Sequence, residues 1–234
     1  MLFPAGFMWV VMLLAALLSA VQAALAREIA APARAVLSVP VIAQTYNLSC
    51  EAASLEMALA YEGVKAGQAA LLAQMRPDGS TPTMSGGRVV RWSDPYANFV
   101  GDPAGHEYNA TGYGVYYPVV AEVAVAEGRR ALWSGTGLAW SQLAGYVRAG
   151  HPVVAWVAYD GAAYEASTPL YYYLAWDGRR IPFGPGYEHA VTVAGISDDA
   201  VLINNPRWGF QQWLPRATFL SAFAVFGDMA VVVG

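Results

Sequence analysis

The sequence comprises 234 residues and carries a formal net charge of −4, from 13 basic and 17 acidic side chains. The basic residues are scattered rather than gathered into a stripe, which argues against nucleic acid as a partner. Residues 27–234 are numerous enough for one domain with its own hydrophobic core, and we expect a monomer.

An apolar segment without a single charged side chain occupies residues 1–26. Ala24 and Ala26 match the small-residue pattern that signal peptidase cuts after, and Ala23 ends a second such pattern. A run of about 20 apolar residues is also long enough to remain as an uncleaved anchor. We therefore expect a bacterial protein that is secreted or held at the outer face of the cytoplasmic membrane, and that meets the membrane only through this segment.

Beyond this segment, residues 27–38 are predicted to be a spacer and residues 39–234 a single domain. Residues 39–42 are a short strand or an extended lead-in, and residues 76–117 lack periodicity and are predicted to be a long loop. Apolar spacing predicts helices over residues 49–62, 69–75, 118–127, 140–148 and 215–223. Strands are predicted over residues 152–159, 171–176, 189–196, 201–204, 210–214 and 229–233. Helices dominate the first half and strands the second, which indicates an α+β fold.

Cys50 is the only cysteine and stands where a helix is predicted to begin. Unpaired N–H groups and the helix dipole favour a thiolate there, and they can lower the thiol pKa from about 8.5 into the range of roughly 3.5–7.5. A free cysteine is otherwise most often a small buried apolar residue. Its position at a helix start, in a chain expected to be exported, favours a nucleophile.

A cysteine nucleophile needs an imidazole to take and return its proton. Three histidines are available. His106 lies in the irregular loop and His151 at a turn into a strand, and both are interpreted as structural. His189 opens an apolar strand, so its side chain is expected to face a cleft, and it is the predicted general base.

Two further residues complete the predicted site. Asn205 ends the strand after that of His189, where its amide oxygen could accept the ring N–H, although Asn-Pro pairs are also ordinary turns. His189 and Asn205 follow Cys50 by about 140 and 155 residues, close to the order and spacing of papain-type enzymes. Gln44, six residues before Cys50, is the predicted oxyanion donor together with the Cys50 backbone N–H.

These motifs resemble the double-glycine-peptidase-like family, the thirty-ninth family of cysteine peptidases, within the papain-fold clan. The resemblance covers about residues 39–233 and is carried by residues 39–44, 50–53, 59–63, 95–103, 112–116, 150–154, 188–191 and 204–206. It implies a papain-like fold in which a helical N-terminal half packs on an antiparallel sheet from the C-terminal half. It also implies Cys50 as nucleophile, His189 as base, Asn205 as the orienting group and Gln44 in the oxyanion hole.

The sequence departs from the family pattern at two positions. Many members carry aspartate where Asn205 stands, and Glu51 replaces the commoner glycine after the cysteine, where its charge would raise the thiol pKa. Members that cut double-glycine leaders are usually fused to transporters, so we do not expect that substrate here.

The function predicted from the sequence is an exported cysteine peptidase acting on a peptide or protein substrate, with neither cofactor nor metal. Two alternatives stay open: a catalytically inactive peptide-binding module of the same fold, and a cell-wall peptide amidase or acyltransferase.

Overall fold

The computed structural model describes Leu17, Ser19 and residues 34–165, 170–184 and 187–234. The chain divides into a unit of Met1–Ala33 and a unit of Arg34–Gly234. The predicted signal or anchor segment, residues 1–26, lies outside the described residues except for Leu17 and Ser19. In the described part of the chain, no helix is long and apolar enough to cross a membrane. All elements named below belong to the second unit.

The described part of this unit contains five α-helices, each close to a range predicted from apolar spacing. They are α1 (Cys50–Tyr61), α2 (Gln68–Gln74), α3 (Tyr117–Ala126), α4 (Trp140–Arg148) and α5 (Arg216–Ala224). A 3₁₀ turn covers Glu107–Asn109. Gly63, just past the end of α1, has a φ of 82°, a left-handed conformation that glycine adopts without steric cost.

Among the described residues, a seven-stranded antiparallel sheet forms the centre of the fold. Its strands are β1 (Ala35–Val36), β4 (Ala131–Gly135), β5 (Val153–Ala158), β8 (Glu188–Ile196), β9 (Ala200–Asn205), β10 (Phe210–Pro215) and β11 (Ala230–Val233). The order is β10-β9-β8-β5-β11-β4, and β1 also pairs with β8. Every residue of β5 and β8 is buried, which explains why both were visible as apolar runs.

The helix α1 packs on β8, and this contact sets the geometry of the site. Nine of the twelve residues of α1 are buried, as is typical of a helix enclosed by its own protein. Thr192 in β8 donates a hydrogen bond of 2.8 Å from its hydroxyl to the carbonyl oxygen of Ser54. This bond ties the first turns of α1 to the strand that begins at Glu188 and His189.

The structure differs from the sequence prediction in the region predicted as a long loop. Residues 76–117 contain β2 (Thr83–Ser85), β3 (Arg88–Trp92) and the 3₁₀ turn. With β6 (Tyr171–Ala175) and β7 (Arg180–Phe183), these strands form a second sheet in the order β2-β3-β6-β7. The prediction of a long loop was therefore wrong, and β4 and β7 were not predicted.

The domain begins a few residues before the predicted start at residue 39. Ala35 and Val36 pair with Ile196 and Gly195 of β8, and the Leu37 N–H donates to the Ala194 carbonyl at 2.7 Å. Residues 35–37, which were assigned to the spacer, therefore contribute to the central sheet.

Candidate active site

Cys50 is the first residue of α1, as the sequence predicted. Its side chain is only 4% exposed, yet it lines a narrow cleft of about 50 Å³ together with His189. The fold therefore brings the predicted nucleophile and the predicted base to the wall of one cleft.

Carboxyl groups surround the thiol. The Cys50 Sγ lies 3.3 Å from Glu51 Oε2 and 4.0 Å from Glu188 Oε2. Burial raises the pKa of the Cys50 thiol well above its ordinary value, and the charges of Glu51 and Glu188 raise it further, although the Ala190 backbone acts in the opposite direction. The expectation that the helix start lowers this pKa was wrong, because burial and two carboxylates outweigh the dipole.

The two carboxyl groups are themselves buried and perturbed. Burial raises the pKa of Glu51 to about 7, against the opposing effect of the Val115 N–H, which donates to Glu51 Oε1 at 2.6 Å. Burial, followed by the charges of Glu51 and Glu107, raises the pKa of Glu188 well above its ordinary value. The carboxyl groups therefore tend to keep protons at a pH where exposed glutamates have lost them.

His189 and Asn205 form the contact that the sequence predicted. His189 Nε2 lies 2.9 Å from Asn205 Oδ1, and that oxygen also accepts the Arg207 backbone N–H at 2.9 Å. Because the Arg207 N–H can only donate, it fixes the amide with its oxygen toward the ring, and the Asn205 amide nitrogen then donates to the Tyr164 hydroxyl at 2.6 Å. Nε2 is therefore the protonated nitrogen of the neutral imidazole, and Nδ1 keeps a lone pair that can accept a proton.

The surroundings of His189 favour this neutral form. Burial, with a smaller contribution from the charge of Arg207, lowers the pKa of His189 to about 4, although the hydrogen bond to Asn205 acts in the opposite direction. The ring lies against Tyr159, with centroids 5.1 Å apart, and Tyr159 contacts Tyr164 at 4.7 Å. Two aromatic residues therefore hold the imidazole and its amide partner in place.

Gln44 is engaged within its own loop. Its Nε2 donates to the carbonyl oxygens of Tyr46 at 2.9 Å and Asn47 at 2.6 Å, and its backbone N–H donates to Pro206 at 2.7 Å. Both amide hydrogens are thus used, so an oxyanion role requires one of these bonds to open. The role assigned to Gln44 remains a prediction.

Several cleft residues were not identified by the sequence analysis. His106, interpreted as a structural loop residue, lines the cleft and pairs its Nδ1 with the Asn47 amide at 2.9 Å. Glu188 was noticed only as part of a family motif, although its position beside His189 was a signal. Glu51 and Glu188 are 137 positions apart, so their proximity depends on the packing of α1 on β8.

The fold and the cleft define a class of protein, a mixed α/β chain with the papain-like fold. A crystal structure from Bacillus anthracis, described as a C39-like peptidase, matches with a TM-score of 0.70 and 25% identity, covering 86% of this chain and 97% of that chain. This match confirms the predicted fold class.

The model of the Peptidase_C39 like family matches residues 36–231, and the chain belongs to this family. The uncharacterized protein YvpB of Bacillus subtilis strain 168 is 30% identical over 190 residues, which is 80% of this chain and 69% of YvpB. Family and fold together support a peptidase-type function.

Proposed function

We propose that the protein is an exported cysteine peptidase in which Cys50 is the nucleophile and His189 the general base. The observation that carries this proposal is the position of both side chains on one cleft, with His189 Nε2 held by Asn205. Export is supported by the uncharged apolar segment of residues 1–26, and the substrate is a peptide or protein.

The thiol and the imidazole start the reaction as a neutral pair. Since the thiol pKa is raised and that of His189 is lowered, the thiol proton moves to His189 Nδ1 as Sγ attacks the peptide carbonyl carbon. The imidazolium then gives this proton to the leaving amine, the C–N bond breaks, and a thioester remains. Water, deprotonated by His189, cleaves the thioester and restores the thiol.

Negative charge on the attacked carbonyl oxygen is stabilised by backbone and side-chain donors. The Cys50 N–H lies in the first turn of α1, where backbone N–H groups have no intrahelical acceptor. The Gln44 amide is the second donor once it releases the Tyr46 or Asn47 carbonyl. Asn205 acts by positioning the imidazole rather than by touching the substrate.

The test is peptide profiling with a mixed peptide library and mass analysis of the products. We expect cleavage by the unmodified protein and none above background by Cys50→Ala or His189→Ala. The matched control is His151→Ala, which removes a histidine outside the cleft and should cleave the same peptides. Full cleavage by Cys50→Ala would show that the thiol is not the nucleophile.

The raised pKa of Cys50 favours a second candidate, a peptide-binding module that does not turn over. It predicts that library peptides bind the unmodified protein and Cys50→Ala equally, and that neither cleaves them. The same mass analysis with an added amine or a muropeptide separates peptide hydrolysis from acyl transfer and wall-peptide amidase activity.

A further inference from the structure

Three acidic groups meet beneath the cleft. One ligand atom from each of Cys50, Glu51 and Glu188 lies within 4.8 Å of the others, and all three residues are buried. They come from the first turn of α1 and the first residue of β8. The packing of this helix on this strand therefore creates the cluster.

The cluster has no basic partner to balance its charge. In the part of the chain that the structure describes, neither Glu51 nor Glu188 forms an ion pair with a lysine, arginine or histidine. Buried charges are stable only when they are paired, bound to a metal or neutralised. The negative charge of these groups must therefore be neutralised, either by protons or by a cation.

Glu188 provides an independent indication of a ligand. It is 8% exposed, and its Oε1 has no hydrogen-bond partner among the described residues. The other oxygen of the same carboxyl group faces the thiol at 4.0 Å, and the side chain lines the cleft. A buried acceptor of this kind is costly to leave unsatisfied.

We propose that Cys50, Glu51 and Glu188 bind a borderline-soft divalent cation of the Zn²⁺ type. A thiolate with carboxylates is a ligand set that Zn²⁺ accepts. With Zn–S near 2.3 Å and Zn–O near 2.0–2.2 Å, tetrahedral geometry places sulfur and oxygen ligands about 3.6 Å apart. The Sγ to Oε2 distances of 3.3 and 4.0 Å lie on either side of that value.

Binding of the cation displaces the protons of the three ligand side chains. The thiol and any carboxyl protons leave to solvent as the Zn–S and Zn–O bonds form, and no oxidation state changes. Cys50 and Glu188 line the cleft, which gives the ion a route from solvent. Coordination occupies a lone pair of the sulfur and withdraws electron density from it, so the bound ion suppresses attack of Cys50 on a carbonyl; only this consequence rests on the proposed function. No metal site was predicted from the sequence.

The test uses the untagged full chain, treated with chelator and desalted, and Zn²⁺ alone as the probe. Competition with a chromophoric chelator should give one site per chain. Cys50→Ser and Glu188→Gln should each weaken binding by about 100-fold or more, since even residues behind the ligands contribute about 10–100-fold. Glu122→Gln, which changes an exposed carboxylate, is the matched control and should bind like the unmodified chain.

A second measurement uses only the unmodified chain, so it does not depend on whether a variant folds. Zn²⁺ should slow iodoacetamide labelling of Cys50 in the unmodified chain, and added chelator should restore it. Unchanged labelling, or Zn²⁺ affinity that survives Cys50→Ser and Glu188→Gln, would overturn the site. Binding is measured without turnover, and turnover is measured with chelator present. A chain that binds Zn²⁺ but stays inactive after chelation therefore contradicts the peptidase proposal alone, and an active chain that does not bind Zn²⁺ contradicts only the metal site.

Discussion

Burial and two neighbouring glutamates together raise the pKa of the Cys50 thiol. The carboxyl group of Glu51 lies 3.3 Å from the sulfur, and its charge contributes to the raised thiol pKa, second to burial. A glutamine has nearly the same shape and can still accept the Val115 N–H, but it carries no charge.

Glu51→Gln should therefore label faster with iodoacetamide than the unmodified protein. We expect about a tenfold increase at pH 8 in the presence of chelator, since each unit of thiol pKa changes the thiolate fraction about tenfold. Glu56→Gln, on the same helix but not among the thiol contacts, is the control. An unchanged or slower rate in Glu51→Gln would show that this carboxylate does not control the thiol.

Gln44 has both a structural and a proposed catalytic role. Its two hydrogen bonds to the loop carbonyls are each worth about 1 kcal/mol, so Gln44→Ala should lower the free energy of unfolding by roughly 2 kcal/mol. As an oxyanion donor it should also lower kcat by about 10²–10³. Urea denaturation and peptide turnover measure the two effects separately. A stability loss with unchanged kcat would leave only the structural role.

At the scale of elements, the site is formed where α1, β8 and the segment before α3 converge. That segment passes the two carboxyl groups at Gly114, where a methyl group would lie 2.5 Å from Glu51 Oε1 and 2.9 Å from Glu188 Oε2. Distances this short cannot be accommodated without moving buried carboxyl groups. Only glycine, which has no side chain, therefore fits at position 114 without displacing these carboxyl groups.

Gly114→Ala should lower the free energy of unfolding by about 1–3 kcal/mol, the usual cost of overpacking a filled core. Gly67→Ala is the matched control, because nothing lies within 4 Å of an added methyl group there. Urea denaturation of both variants measures the difference. Equal stability of Gly114→Ala and the unmodified protein would mean that the carboxyl groups are not held in place.

At the scale of the whole molecule, two buried groups make stability depend on pH in opposite directions. The folded pKa of Glu51 is about 7, above its unfolded value, so its contribution is present at low pH and is lost as pH rises through 7. The folded pKa of His189 is about 4, below its unfolded value, so its contribution is lost as pH falls from about 6.5 to 4.

The Glu51 contribution can be isolated by substitution. Between pH 5 and pH 8 the unmodified protein should lose about 2–3 kcal/mol of unfolding free energy relative to Glu51→Gln, since one pKa unit corresponds to about 1.4 kcal/mol. Urea denaturation of both proteins at the two pH values, with chelator present, gives this difference. If the two proteins differed in unfolding free energy by the same amount at both pH values, Glu51 would ionise normally in the folded protein.

Local patterns in the sequence predicted the helix and strands that carry the site. They could not predict contacts between residues that are far apart in the sequence. The start of α1 at Cys50 and the strand ends at Glu188 and Asn205 follow from apolar runs and turn residues, so the His189–Asn205 contact was predictable. The second sheet was not, because β2 is exposed throughout and β3 has only two buried residues. The helix start was expected to lower the thiol pKa and Glu51 to raise it. The rise due to Glu51 is found, but the larger effect of burial and the contribution of Glu188 could not be predicted, because both depend on tertiary packing.

The most direct test of the central claim is the rate of Cys50 alkylation as a function of pH, with chelator, in the unmodified protein and in His189→Ala. If His189 takes the thiol proton, labelling near pH 7 should occur at one site and should fall by at least about tenfold in His189→Ala, in line with the typical contribution of general-base catalysis. Identical rate profiles for the two proteins would contradict a working cysteine–histidine pair.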